Sequence, residues 1–474
     1  MPLPPSAFLE KMSALLRAEF AAFAASYNSA PVNGLRVNTL RLPVADYAAQ
    51  SPFDLTPVGD AVPEGFVIGA GVTPGKHPLH AAGLYYLQEP SAMGVGALVD
   101  ARPGEWVLDL AAAPGGKSTH LAARMQNRGL LVANDVNSGR ARILVENLER
   151  CGVTNAVVTS SPVEKLAETL GPVFDRVLVD APCSGEGMFR KNPTVEWRES
   201  IVTACARRQM ALLPLAARLV KPGGLLVYST CTFSPEENEG VIAAFLAGHA
   251  QFTVEPPPDA LQGWVGGRPD WIDNAPPELA QAIRVWPHTG PGEGHFMVRL
   301  RRAAAATSET SSARPTGQTT RRAGLSATTA RTWQDFAEQV LITPFDSDAI
   351  RERQGYLYLP PANLPDLSGV YLLRVGLQLG ELRGRGVFRP AHALALTLTT
   401  RDVRRYVNFA ADSPQLAAYM AGHDSDSAGG DGWLLVTVEG FGIGWGKRVG
   451  GVLKNHYPHG WRRLPGKPAA ESDE

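Results

Sequence analysis

Between Phe8 and Phe23 the large apolar residues Phe8, Leu9, Met12, Leu15, Leu16, Phe20 and Phe23 recur close to helical spacing, and Leu35-Arg36-Val37-Asn38-Thr39-Leu40 alternates as a half-buried strand does. These patterns predict a small N-terminal α+β module over residues 1–80. From Trp106 onward the pattern changes. Short apolar runs at 107–110, 130–133, 156–158, 176–180 and 225–229 alternate with stretches of helical period. That alternation predicts a doubly wound α/β domain over 81–302, a Rossmann-like parallel sheet with helices on both faces. A late run at 296–300 is expected to close the sheet as its antiparallel edge.

Beyond 302 the large apolar residues nearly disappear. Residues 303–332 are rich in Ser, Thr, Ala and Arg and are expected to form a flexible linker. Apolar runs return at 356–359, 371–375 and 433–438, short and separated by Gly and Pro, which predicts one mostly β domain over 333–465. The acidic tail, 466–474, is expected to be disordered. No internal repeat is visible.

Composition narrows the class of function. At 474 residues with 44% hydrophobic residues the chain supports more than one packed core. A net charge of -1 makes any nucleic-acid surface a local one. No run approaches the roughly 18 apolar residues of a membrane span, and the N-terminus lacks the build of a signal peptide, so a cytoplasmic protein with no membrane partner is expected. The four cysteines, Cys151, Cys183, Cys205 and Cys231, have no CxxC spacing. They predict free thiols and no metal site.

The candidate chemistry lies at the carboxyl ends of the predicted strands, where open α/β sheets place their ligands. After the first strand, Ala111-Ala112-Ala113-Pro114-Gly115-Gly116-Lys117 turns sharply into a helix, with small residues that let the backbone approach a ligand. Gly116-Lys117-Ser118 also resembles the end of a phosphate-cradling P-loop, but that motif needs glycine where Ala111 stands. Asp135 closes the second strand roughly 20 residues on, where a carboxylate can take both ribose hydroxyls of a nucleoside cofactor. The fourth strand runs into Asp180-Ala181-Pro182-Cys183 and the fifth into Thr230-Cys231-Thr232. Two thiols therefore stand on the rim that carries the nucleoside turn. A pyrimidine C5 is too weak a nucleophile to take a methyl group until a thiolate adds at C6, so a thiol beside a methyl-donor site points to covalent catalysis. Asp180 is placed to stabilise charge on the base. Spacing alone leaves open which cysteine attacks. The run Ser234-Pro235-Glu236-Glu237-Asn238-Glu239 reads as an ordinary helix start, with a serine cap and acidic first turn.

The segments 108–121, 180–187 and 229–239 resemble the motifs of the RNA cytosine-5 methyltransferases of the Sun/nucleolar-protein family. Tyr85-Tyr86-Leu87-Gln88-Glu89-Pro90-Ser91-Ala92-Met93, Gly444-Trp445-Gly446-Lys447 and Lys454-Asn455-His456-Tyr457-Pro458 resemble its bacterial RsmF (YebU) branch, the last two falling in a PUA-like domain. The resemblance implies S-adenosyl-L-methionine (SAM) as cofactor, held by 111–117 and Asp135, with Asp180 between cofactor and base. It implies Cys231 as the C6 nucleophile and Cys183 as the thiol that helps expel the enzyme from the methylated base. It further implies 16S rRNA, free or in the assembled small ribosomal subunit, as partner, with a target in the decoding region and the enzyme a monomer. Where an acidic residue is expected near the adenine this chain has Ser160-Ser161-Pro162, and where the cofactor loop often begins with cysteine it has Ala111.

RNA contact is expected from Arg190-Lys191, Arg207-Arg208, Arg401 with Arg404-Arg405, Lys447-Arg448 and Arg462-Arg463, with Trp445, Tyr457 and Trp461 as stacking partners. The same chemistry on tRNA, a P-loop NTPase and a non-catalytic ribosome-assembly factor are the alternatives.

Overall fold

The computed structural model describes residues 3–69, 71–192, 194–305, 324–384 and 386–462. Most of the expected linker, at 306–323, and the acidic tail lie outside the described residues.

The core is a twisted sheet whose parallel strands are Ala156–Thr159, Leu130–Asn134, Trp106–Asp109, Phe174–Asp180 and Val220–Thr230, in that spatial order. The runs are apolar at consecutive positions because both faces are covered. Leu108, Val132, Val177 and Val179 pack on one face, and Val107, Leu131, Ala133 and Leu178 on the other. The strand order reverses between Trp106–Asp109 and Phe174–Asp180, a switch point that opens a crevice at their carboxyl ends.

Two expectations about the edges are corrected. His295–Arg302 is antiparallel to Val220–Thr230, yet it is an inner strand, because Phe252–Glu255 and Ile283–Val285 both pair with it on its far side. At the opposite edge Leu372–Val375, expected in the C-terminal β domain, pairs with Ala156–Thr159 and extends the core sheet. An apolar run states that a strand is buried but not which sheet it joins.

The N-terminal helices Ser6–Leu16 and Phe20–Ser26 pack Phe8, Met12 and Phe23 against Phe189, Trp197 and Phe233, close to the rim. The N-terminal sheet joins Leu55–Pro57, Gly65–Ile68, Asn33–Val37 and Tyr85–Leu87, so it runs past the expected boundary at residue 80. Helix Pro90–Val99 follows and is buried along its whole length, its first turn capped by the Glu89 carboxylate.

The region after the linker holds two further sheets, where a single mostly β domain was expected. Arg351–Arg353, Tyr356–Leu359, Leu377–Arg383 and Val387–Pro390 form one. Tyr406–Phe409, Gly432–Val438, Phe441–Val449, Val452–Asn455 and Ser425–Asp426 form the other. Helix Ala327–Val340 begins inside the stretch read as linker, with Ser326 capping Thr329. Among the described residues no helix is long and apolar enough to cross a membrane.

Candidate active site

One cleft at the switch point gathers most of the sequence-predicted residues: Ala111, Ala112, Ala113, Pro114, Gly116, Lys117, Asp180 and Cys231 line it, together with Tyr86, Met188, Lys191 and His295. The loop 111–117 is shaped by Gly115, whose φ of +117° no side chain tolerates well, and which leads into helix Gly116–Arg124. Support comes from the N-terminal sheet. Buried Arg36 donates to the Gly116 carbonyl (2.7 Å) and to Thr119 Oγ1 (2.8 Å). Beneath the loop, Asp109 accepts from Ser118 Oγ at 2.6 Å while its second oxygen has no partner, and burial pushes its carboxyl up to about 7.

The run resembling a P-loop is turned inward. Ser118 is spent on Asp109, and the Lys117 ammonium pairs with Asp180 Oδ2 at 2.7 Å. Burial favours the neutral form of each partner, but their attraction prevails, raising Lys117 and holding Asp180 below the ordinary carboxylate range. Ser229 Oγ donates to the other Asp180 oxygen at 2.7 Å. Asp180 therefore stands ionised and oriented.

Asp135 lies just past its strand, 2% exposed. One of its oxygens accepts from the Asn137 N–H (2.9 Å), and the other, 3.6 Å from Arg140 Nη1, has no hydrogen-bond partner. A buried carboxylate with a spare acceptor at this strand end fits the ribose of a nucleoside cofactor. Ser160 and Ser161 are occupied differently from the expectation. Ser160 N–H donates to the Tyr371 carbonyl, and Tyr371 N–H donates to Ser161 Oγ, both at 3.0 Å, so these serines dock the C-terminal strand.

The two thiols meet. Cys183 Sγ and Cys231 Sγ are 3.3 Å apart, both partly exposed and free. The hydrogen bond to Cys231, with burial, raises Cys183 well above the ordinary thiol range and so favours its thiol form. Gly187 clamps the loops together: its N–H donates to the Cys231 carbonyl at 2.8 Å, and a Cβ there would stand 2.9 Å from that oxygen.

The acidic run 234–239 departs from its expected role as an ordinary helix start. The helix is Glu239–Gly248, without a side-chain cap, and Glu237, Asn238 and Glu239 are fully buried. Glu237 accepts from the Ser184 N–H (3.0 Å) and Gln209 Nε2 (2.8 Å), tying the two cysteine loops together; burial lifts its carboxyl to about 7. Glu239 meets Arg284 through two bonds of 2.7 and 2.5 Å, and Arg284 also donates to the Phe233 carbonyl. Glu186 fixes the same loop through the Phe233 N–H and Ser234 Oγ. Glu239→Ala strands the Arg284 charge and is expected to cost about 3–5 kcal/mol in urea unfolding. A loss below about 1 kcal/mol would contradict this bracing role.

The expected RNA-contact residues divide. Arg207, Arg208, Arg401, Arg404 and Arg405 are exposed, and Lys191 lines the cleft. Arg190 is not free for RNA: its guanidinium is buried against Glu293 at 2.5 Å. Trp445 and Tyr457, each 2% exposed, are core residues, with Trp445 Nε1 donating to the Ala391 carbonyl. They cannot stack bases. In the C-terminal region a half-exposed aromatic that does stand beside a cation is Trp433, with Lys447 Nζ 5.6 Å from its ring centroid. Arg463 lies outside the described residues.

The model of the 16S rRNA methyltransferase RsmB/F family matches residues 97–301, and that of the N-terminal domain of 16S rRNA methyltransferase RsmF matches 4–90. Those of the RsmF rRNA methyltransferase first C-terminal domain and the methyltransferase RsmF PUA domain match 335–398 and 406–463. The ribosomal RNA small subunit methyltransferase F of Erwinia tasmaniensis is 34% identical over 96% of both chains, and that of Vibrio cholerae 33% over the same share. This chain belongs to the RsmF family of 16S rRNA methyltransferases. It is a SAM-dependent enzyme with a Rossmann-like core and a C-terminal PUA domain. A methyltransferase homolog from Pyrococcus horikoshii is 32% identical with a TM-score of 0.53, covering 60% of this chain and 90% of that one. A structure of NSun6 from the same organism with SFG, 20% identical, shares the fold at a TM-score of 0.55, over 64% of this chain and 99% of that one. The two C-terminal family models coincide with the two sheets described above.

Proposed function

We propose that this enzyme makes 5-methylcytosine in 16S rRNA, in the decoding region, with Cys231 as the C6 nucleophile. The observation that carries this reading is the pair of thiols at 3.3 Å, of which Cys231 lines the cleft with the Lys117–Asp180 pair. Bound SAM supplies an electrophilic methyl group; loop 111–117 and Asp135 hold the cofactor. The protein's part begins with the Cys231 sulfur, which forms a bond to C6 and moves the ring electrons toward C5 and N3. Asp180, held ionised and oriented by Ser229 and Lys117, fixes the base as a hydrogen-bond acceptor, and the Lys117 ammonium beside it offsets the negative charge that develops on the ring. After methylation C5 still carries its proton. Forming the adduct removes the sulfur charge and hydrogen bond that had raised Cys183, so Cys183 can lose its own proton to solvent and then take the C5 proton. The C6–S bond breaks, its electrons return to Cys231, and the ring regains its double bond. A target base inside a duplex has to be flipped out to reach this depth. The N-terminal module and the PUA domain, with the exposed arginines, supply the RNA-binding surface.

The test is transfer of labelled methyl from SAM to assembled small subunits, free 16S rRNA and tRNA, with products digested to nucleosides. Labelled 5-methylcytosine in rRNA is the expected result. Label confined to tRNA overturns the substrate, and a different methylated nucleoside overturns the chemistry. For the cofactor, Asp135→Ala removes a charged acceptor for ribose and is expected to weaken SAM binding about 10- to 100-fold by calorimetry. Unchanged affinity would remove Asp135 from the site.

A further inference from the structure

The proposed reaction leaves the buried histidine of the cleft idle. His295, 5% exposed, begins strand His295–Arg302 and lines the cleft with Lys117, Asp180 and Cys231. Its surroundings fix its tautomer. One oxygen of Glu89 accepts the N–H groups of Ser91 (3.0 Å) and Glu293 (2.7 Å); the other accepts the N–H of Ala92 (2.8 Å) and the hydroxyl of Ser91. With its hydrogen turned to Glu89, Ser91 Oγ is left as an acceptor for His295 Nδ1, 3.4 Å away. Nδ1 therefore carries the ring hydrogen and Nε2 presents a bare lone pair. That Nε2 has no hydrogen-bond partner and lies 4.0 Å from Asp180 Oδ1, beyond bonding distance. Burial and the nearby Lys117 charge hold the imidazole down at about 4, so it is neutral near pH 7.

Two acceptors thus line one cleft, 4.0 Å apart: His295 Nε2, which has no donor, and Asp180 Oδ1, which accepts from Ser229 Oγ and keeps a lone pair free. We propose that His295 is a specificity-determining residue: its Nε2, with Asp180 Oδ1, accepts the two hydrogens of the exocyclic amino group of cytosine and so selects cytosine over uracil. The proposal rests on the reading of this site as a cytosine C5 methyltransferase. Uracil presents a carbonyl oxygen at the same ring position, setting lone pairs against both acceptors and leaving His295 Nε2 buried and unpaired. The choice matters chemically, because uracil is open to the same thiolate addition at C6.

The experiment compares wild type, His295→Phe and His295→Gln on two RNAs that differ only in cytosine or uracil at the target position, with SAM affinity measured alongside. His295→Phe is expected to lower kcat/KM for cytosine about 10- to 100-fold, to narrow the cytosine-to-uracil ratio at least about tenfold, and to leave SAM affinity unchanged. His295→Gln offers an amide oxygen and is expected to recover part of that ratio. Should phenylalanine disturb the site, read as lost SAM binding, His295→Ala makes the same comparison without added bulk. A role in packing alone would slow both substrates alike, and an unchanged ratio overturns the proposal. A wild-type enzyme that forms no 5-methylcytosine at all would instead overturn the reading on which it rests.

Discussion

Replacing Cys231 with alanine is expected to lower methyl transfer by at least about a thousandfold while leaving SAM affinity within about twofold of wild type. The size of the loss follows from the chemistry, since without a sulfur bond at C6 the C5 carbon has no enamine character. The selectivity follows from the structure. Cys231 stands at the end of the fifth parallel strand, whereas loop 111–117 and Asp135 are held by Arg36, Ser118 and Asn137. Single-turnover rates and calorimetry on the same preparation separate the two effects. Residual turnover above about one tenth of wild type would show that Cys231 is not the nucleophile.

The second large effect is expected from Cys183→Ala. The adduct still forms, because Cys231 retains its place and its sulfur, but the group that takes the C5 proton is gone. Enzyme is therefore expected to accumulate covalently on methylated RNA, visible as a slowly migrating band in denaturing electrophoresis, with multiple turnover reduced about a hundredfold or more. The mechanism separates this variant from Cys231→Ala, which forms no such band. Rapid turnover without a trapped species would mean that water or another side chain removes the proton.

The two variants probe parts of the site that were legible to different degrees. The core strands were readable because strands covered on both faces are apolar at every position, and 107–110 or 130–133 have few other uses. The rim chemistry was readable because thiols at two strand ends sit on the side where such sheets bind ligands. What escaped depends on partners distant in sequence. Glu237 and Glu239 resemble an acidic helix start, and their burial follows from Gln209, Ser184 and Arg284, up to 53 positions away. Lys117 appeared as part of a cofactor loop, and only the folded chain brings it to Asp180. Trp445 and Tyr457 appeared beside basic residues, but Trp445 packs in the C-terminal core with its Nε1 on the Ala391 carbonyl, while Lys447, two residues on, is half-exposed. His295 carried no signal, since a lone histidine before an apolar run reads as core. Its unpaired Nε2 exists only once Glu89 and Ser91 have set its tautomer.

The central claim, covalent methylation of cytosine through Cys231, is tested most directly by trapping the enzyme on 16S rRNA carrying 5-fluorocytosine, in the presence of SAM, and sequencing the adducted peptide by mass spectrometry. Fluorine at C5 leaves no proton to remove, so the adduct cannot resolve. A methylated nucleotide attached to Cys231, and absent from the Cys231→Ala variant, is the result predicted. Attachment to Cys183, or no adduct under conditions in which unmodified rRNA is methylated, would contradict it.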